Sequence, residues 1–476
     1  MAVDSPQGWN LREKLDSRPT GSFYWALTIM ATIGGFLFGY DTANIGSALT
    51  FIPYRLGPLA LGYLVAGSSL GAAVGAIVAG PFTDSWGRKS LLILDAAIYA
   101  LGALLSAFTV NVFMLLASRT LIGLAIGADS AIATAYIAEY APKVRRGSLA
   151  ILQQWMITVG IFLAYVIGIV VFSVWPHGAT TFDWRLILGL GAIPALLGLV
   201  YRIRMPESPR WLLQRGQLDK LQRALKMLGI DASLNELRQA KEREEAPTQD
   251  SASKPRITPG MRYALVIAGV FMVFQQITGI NIPFYYGPKI LKPYFSSGHM
   301  VPVQAAVTGI EATVVLATVN VAATYIGFRF IDVWGRRKIS RLGFGGMAVF
   351  MILSALSLTW LTGMSRAIIL LITLAGFIVF FAFGVGGTGW TIEGEYFPTA
   401  LRGRLASLVA FVNWIANFVI VEMFPVLQRA VALTGVMVLF AILSFLAVIF
   451  ISRWMPETKG LSVEDIVERF DRLAED

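Results

Sequence analysis

Asp84-Ser-Trp-Gly87-Arg88-Lys89 returns, 248 residues further along, as Asp332-Val-Trp-Gly335-Arg336-Arg337-Lys338. Glu139-Tyr-Ala-Pro-Lys-Val-Arg-Arg146-Gly147 returns as Glu395-Tyr-Phe-Pro-Thr-Ala-Leu-Arg402-Gly403 after 256 residues, and Pro206-Glu207-Ser208 as Pro456-Glu457-Thr458 after 250. Three pairs in one order at a near-constant period mark an internal duplication. Between the motifs run long apolar stretches. Of the 476 residues, 56% are hydrophobic and 14% charged, with a mean hydropathy of +0.66; a soluble chain carries about a quarter charged. Each stretch reaches the roughly 20 residues that cross a bilayer core, and runs of that length exclude a soluble fold.

The apolar stretches predict membrane helices near 23–52, 59–82, 90–109, 112–140, 148–174 and 185–201, then 261–291, 303–329, 341–361, 367–397, 405–426 and 431–454. The fold class is therefore all-α and polytopic: twelve transmembrane helices in two six-helix halves, 23–201 and 259–455. A polar segment, 202–258, joins them, with short amphipathic helices such as 218–228 expected at the membrane surface. Residues 1–22 and 456–476 form an N-terminal and a C-terminal tail. Two parallel repeats related by an axis along the membrane normal are an arrangement found in transporters. Neither a channel nor a membrane-embedded enzyme needs it.

The net charge of +10 is placed in alternate loops. Arg88 and Lys89, Lys143, Arg145 and Arg146, Arg336 to Lys338, and Arg402 and Arg404 fall on one side, against Arg55, Lys292 and Arg366 on the other. Such a bias puts the richer loops and both termini in the cytoplasm and argues against a nucleic-acid partner. No cleavable leader is apparent, since the first ~20 residues are polar and hold Arg12, Lys14 and Arg18. There is no cysteine, so disulfides and thiolate metal sites are excluded. With His177 and His299 the only histidines, a histidine-rich metal site is not expected, nor is any cofactor. The expected setting is the plasma membrane, with the lipid bilayer as partner and a monomer as the working unit.

Further motifs carry a resemblance. Gly39-Tyr40-Asp41-Thr42 lies in helix 1 and Pro206-Glu207-Ser208-Pro209-Arg210-Trp211-Leu212-Leu213 follows helix 6. Gln275-Gln276-Ile-Thr-Gly279-Ile-Asn281 with Tyr285-Tyr286 lies in helix 7, and Pro456-Glu457-Thr458-Lys459-Gly460 follows helix 12. Taken with the Asp-x-x-Gly-Arg-Lys loops, this set resembles the sugar porter branch of the major facilitator superfamily over about residues 23–470. The resemblance implies the major facilitator fold, a monosaccharide (hexose or pentose) and a proton as partners, and transport by alternating access.

The residues agree with a hydroxyl-rich ligand. Asn and Gln offer donors and acceptors without charge, and inside an apolar helix such amides are expensive unless they face a cavity or another helix. Gln275, Gln276 and Asn281 lie on helix 7, joined by Asn320, Asn413 and Asn417; the bland reading is that they only bind helices together. Gly279 and Pro283 should loosen the helix around them. By resemblance Gln276, Asn281 and Asn320 hydrogen-bond the sugar with Gln275, Asn413 and Asn417 close by, Trp390 packs on its ring, and Tyr285 and Phe38 line the cavity. Two positions depart from the family: Tyr165 stands where a glutamine is common, and Gly386-Gly387-Thr388-Gly389-Trp390 replaces Gly-Pro-x-Pro-Trp. Glycines can also bend a helix, which would preserve gating by helix 10.

Asp41, about 27 Å along helix 1, and Arg119, about 10 Å below the outer end of helix 4 at roughly 1.5 Å per residue, should meet in the outer half of the bilayer. Burial raises a carboxylate pKa and a nearby guanidinium lowers it, so the pair can act as a proton switch; the alternative is a static ion pair. The resemblance favours the switch, because proton-coupled porters carry aspartate there and passive ones usually asparagine. Asp129, ten residues inward of Arg119, is either a second proton station or a paired packing acid. Asp84, Arg88, Glu139, Arg146, Asp332, Arg336, Glu395 and Arg402 sit at inner helix ends, and the resemblance makes them a cytoplasmic gate joined by Glu207 and Glu457. A passive sugar facilitator, a phosphate or organic-anion symporter and a transporter-like sensor remain as other readings. Against the anion carrier, Arg119 reads as the only clear cation inside a helix.

Overall fold

The computed structural model describes residues 11, 14, 27–29, 32–140, 146–245, 257–296, 299–398, 401–461 and 463–475. Those residues fold into helices, with no strand among them. The first half holds α1 (Ile33–Ala48), α2 (Pro58–Trp86), α3 (Arg88–Ala107), α4 (Val112–Tyr140), α5 (Arg146–Val174) and α6 (Ala192–Arg204). Short helices Pro209–Gln214, Leu218–Met227 and Leu234–Glu245 occupy the linker. In the second half come α7 (Pro259–Ile277), α8 (Pro302–Trp334), α9 (Arg336–Trp360) and α10 (Gly363–Phe381, resuming as Gly387–Glu395). A helical run Arg402–Trp454 follows, then α13 (Val463–Glu475).

That run of 53 residues would extend about 80 Å at 1.5 Å per residue, far beyond a bilayer core of about 30 Å. It is two helices, α11 (402–431) and α12 (433–454), separated at Ala432, whose φ of 56° and ψ of 172° are not helical. Ten described helices are long and apolar enough to span a membrane. One of those contains both α11 and α12, and the 16-residue α1 is shorter than the lengths counted, which accounts for twelve. Large apolar side chains such as Val170, Ile203, Val349, Ile372 and Phe445 are exposed on the outer helix faces, as lipid contact requires. The chain is a multi-pass membrane protein.

Local sequence sets the ends. Pro58 and Pro302 open α2 and α8 at first-turn positions, where a missing N–H removes a donor the helix could not satisfy. Gly87 and Gly335 close the same helices at φ 92° and 84°, a conformation that favours glycine. α2 and α4 then pack almost backbone to backbone. Gly71 and Gly75 on α2 face the Thr120 and Leu124 carbonyls, and Gly123 and Gly127 on α4 face those of Ser68 and Ala72; a Cβ at any of the four would strike the facing carbonyl. Small residues four apart are the usual means of such close approach in membranes, and here they draw Arg119 against α2.

Candidate functional site

The amide cluster is built around a break in α7. Gly279, at φ 86°, ends the helix, and the chain resumes as Ile282–Tyr285 and Gly287–Phe295, as the Gly279 and Pro283 positions foreshadow. The break lets Asn281 turn back: its Nδ2 donates to Gln276 Oε1 at 2.8 Å. Gln276 Nε2 donates in turn to Asn413 Oδ1 at 2.8 Å and to Gln275 Oε1 at 3.2 Å. Gln275 Nε2 donates to the carbonyls of Val385 and Gly386 at 3.2 and 3.3 Å. Those carbonyls lie in a widened π-type turn, Ala382–Gly386, where the glycine-rich stretch displaces the regular α-helical bonding. A continuous amide chain therefore links α7, α10 and α11.

One turn from Asn413, the buried Oδ1 of Asn417 finds no partner among the described residues, and neither does the indole N–H of Trp414. Unsatisfied buried groups cost about 1–3 kcal/mol each, so a hydroxyl-bearing ligand would find both an acceptor and a donor here. Phe38 meets Trp414 edge-on, with ring centroids 4.9 Å apart. Trp390 donates its indole N–H to Gln154 Oε1 at 2.9 Å, a bond from α10 to α5 across the two halves. Gln154 was not singled out from the sequence, since a second amide beside Gln153 on an apolar helix gives no sign of its partner. Phe38, Trp390 and Trp414 line one narrow recess between the helices.

The other predicted residues take different places. Asn320 is buried and accepts from Thr324 Oγ1, at 3.4 Å, outside the amide chain. Tyr285 is fully buried. Tyr165, also fully buried, gives its hydroxyl to the Phe284 carbonyl, so it ties α5 to the broken end of α7. Gly46 of α1 packs on the carbonyls of Phe284 and Tyr285, where a Cβ would come within 2.9 Å of both. The two halves are thus closed together at the end opposite the Gly-Arg motifs.

Asp41 and Arg119 meet as their depths predict. The guanidinium is doubly bonded to the carboxylate, Nη1 to Oδ1 and Nη2 to Oδ2, the latter at 2.7 Å. Arg119 also donates from Nε to the Leu64 carbonyl at 3.2 Å and from Nη2 to Ser68 Oγ at 3.3 Å. Both side chains are sealed from solvent, at 0% and 1% exposure. Asp129 is paired as well: its Oδ1 accepts from Arg202 Nη2 on α6, while Arg202 Nη1 donates to Asp95 Oδ1 on α3 at 2.6 Å. The expectation that Arg119 is the only clear cation inside a helix is corrected here. α6 continues past residue 201 to Arg204, which carries Arg202 into the protein interior. An aspartate inside the apolar stretch around Asp95 was the available signal.

At the motif end, each half repeats one construction. Glu207 accepts from the backbone N–H groups of Arg88 (3.0 Å), Lys89 (3.1 Å) and Ser208 (2.8 Å), and so caps α3. Glu457 accepts from those of Arg336 (2.9 Å), Arg337 (3.1 Å) and Thr458 (3.0 Å), and so caps α9. Burial pushes the Glu207 carboxyl above the usual carboxylate range, against the opposing pull of these N–H groups and the Arg88 charge. Arg88 pairs with Glu139 at 2.9 Å and Arg336 with Glu395 at 2.8 Å. Both pairs run within one half. Arg402 Nε donates to the Phe397 carbonyl at 3.1 Å. The side chains of Asp84, Arg146 and Asp332 lie outside the described residues.

Residues 27–470 match the family profile described as Sugar (and other) transporter. Glucose transporter GlcP of Staphylococcus epidermidis is 33% identical over 446 residues, covering 93% of this chain and 96% of the relative. The arabinose-proton symporter of Bacillus subtilis is 32% identical over 452 residues, 93% and 94% of the two chains. Among solved structures, the xylose transporter XylE from E. coli in a partially occluded inward-open conformation superposes with a TM-score of 0.78 at 25% identity. That superposition covers 93% of this chain and all of the other.

Proposed function

The chain belongs to the sugar (and other) transporter family, and from that premise we propose that it is a proton-coupled monosaccharide symporter working by alternating access. The observation that carries the reading is the buried, doubly bonded Asp41–Arg119 pair beside a chain of neutral amides. The amides suit sugar hydroxyls, the pair suits a proton, and the two lie in one fold. The relatives named for glucose and for arabinose with a proton point the same way.

In the proposed cycle the recess first opens at the end held by Tyr165 and Phe284, and a proton reaches Asp41. Neutralising that carboxylate removes the charge that holds Arg119, which keeps the Leu64 carbonyl and Ser68 as partners. Sugar hydroxyls then replace the bonds that Gln276, Asn281 and Asn413 make to one another, and take up the open groups of Asn417 and Trp414. Trp390 and Phe38 supply apolar faces for the ring C–H groups. Closure of the outer end and separation of the halves at the motif end release sugar and proton. A membrane potential contributes about 2.3 kcal/mol per charge per 100 mV, and each pH unit about 1.4 kcal/mol.

In this reading the motif end and both termini face the cytoplasm, the membrane is a bacterial plasma membrane, and one chain is the working unit. The helix caps at Glu207 and Glu457 and the pairs Arg88–Glu139 and Arg336–Glu395 hold each half's inner end as a body. Asp84, Arg146, Asp332 and Arg402 complete the gate. Nothing in the amide cluster or the ion pairs calls for chemistry on the substrate. An anion symporter is disfavoured because the buried Arg119 and Arg202 are both committed to carboxylates. The test is uptake of labelled glucose, galactose and xylose into proteoliposomes with and without an inward proton gradient. Accumulation that a protonophore collapses supports the symporter. Equilibration alone would leave a passive facilitator.

A further inference from the structure

Asp95, Asp129 and Arg202 form a second buried charge cluster, with exposures of 3%, 4% and 1%. One guanidinium serves two carboxylates and the Leu92 carbonyl, the last at 2.8 Å. With all three ionised the cluster would hold one net negative charge. The second oxygen of each acid, Oδ2, is buried and accepts nothing among the described residues.

A separate observation shows where Asp129 points. Gly34 of α1 stands directly against it, and a Cβ there would overlap Asp129 Oδ2 outright. Gly34, Phe38, Trp390, Trp414 and Asp129 all line the central recess. The unpartnered oxygen is therefore packed on Gly34, at the wall of the recess that the sugar-site aromatics line. Outside the cluster, its described neighbours are uncharged. α1 presents only glycine, and α5 presents the neutral Gln153. On α4, Ser130 donates to the Gly127 carbonyl, and on α3 the hydroxyl of Tyr99 is given to the Leu37 carbonyl.

We propose that Asp95 and Asp129 share one proton over Arg202 and form a second proton site, which exchanges with the central recess when its motif end is open. Two carboxylates in one buried site do not both ionise readily, and a shared proton leaves the cluster neutral. Asp41 and Gly34 stand seven residues apart on α1, about 10 Å, and Arg119 and Asp129 ten apart on α4, about 15 Å. A shift of α1 against α4 therefore acts on both sites. It parts Asp41 from Arg119 and lifts Gly34 off Asp129. Water then reaches Asp129, the proton leaves to it, and the cluster keeps a negative charge until the next proton arrives.

The proposal deepens the proton-coupled reading and rests on it for its role, but its first test needs neither sugar nor gradient. Infrared difference spectra of the purified protein at neutral pH are compared with Asp129→Asn, and with Asp95→Asn should the first variant not fold. Loss of one protonated-carboxyl carbonyl band is expected in each variant, because the remaining aspartate then pairs one-to-one with Arg202 as a carboxylate. A difference spectrum showing only a lost carboxylate band would overturn the shared proton. The second arm follows sugar uptake into proteoliposomes as internal pH is lowered. Native uptake should slow more steeply than Asp129→Asn uptake, whose remaining dependence is that of the Asp41 proton alone; equal slopes overturn the release role. If the acid band is present but no sugar is carried, the symport reading fails while the proton site stands.

Discussion

Asp41→Asn keeps the shape of the side chain and removes its charge. In the native protein both carboxylate oxygens accept from Arg119, and neither residue reaches solvent. The variant leaves Arg119 with one amide oxygen in place of the two carboxylate oxygens, beside the Leu64 carbonyl and Ser68 hydroxyl, and with no opposing charge. Breaking a buried pair from one side costs about 3–5 kcal/mol, so thermal stability should fall. The functional effect is separate and larger in kind. A potential of 100 mV and a gradient of one pH unit together supply about 3.7 kcal/mol for one proton, which sets a ceiling of roughly 500-fold sugar accumulation. Proteoliposomes loaded with buffer and given both gradients should approach that ceiling with native protein. With Asp41→Asn the ratio should fall to about one, while exchange of sugar across the membrane without a gradient continues. Asp41→Asn combined with Arg119→Gln removes both charges, restores part of the lost stability and remains uncoupled, which separates charge balance from coupling. Gradient-driven accumulation by either variant would refute the assignment of Asp41 as the coupling acid.

Gln276 stands at the centre of the amide chain, so Gln276→Ala should weaken sugar binding by about 1–3 kcal/mol, a rise in KM of roughly 5- to 150-fold, read from exchange in proteoliposomes. Tyr165→Phe removes the hydroxyl that ties α5 to Phe284, worth about 1 kcal/mol. Because the chain has no cysteine, a single thiol introduced as Ser47→Cys near that contact should react several-fold faster with a maleimide in the Tyr165→Phe background; an equal rate would mean that the bond does not hold the end closed. Glu207→Ala and Glu457→Ala each strip a helix N-terminus of its acceptor, and each should lower stability by about 0.5–2 kcal/mol, measured as a thermal shift. If the two shifts differ sharply, the repeated capping geometry is not equivalent in the two halves.

The repeated Gly-Arg motifs and the apolar run lengths were enough to determine twelve membrane helices in two halves, because crossing a bilayer forces about 20 apolar residues in a row and leaves the punctuation visible. The meeting of Asp41 with Arg119 was also legible, since helical rise converts residue number into depth. Depth is all that rise supplies. Which residues face one another across helices depends on rotation and packing, and those are set by contacts hundreds of residues apart. Hence the bond from Gln154 to Trp390, separated by 236 positions, and the commitment of Tyr165 to the Phe284 carbonyl, separated by 119, belong to the tertiary structure alone. Asp129 shows the division most clearly. Its presence in an apolar helix was evident from the sequence, but its partners lie on α3 and α6, and the niche that receives its carboxylate exists because α1 brings a glycine there.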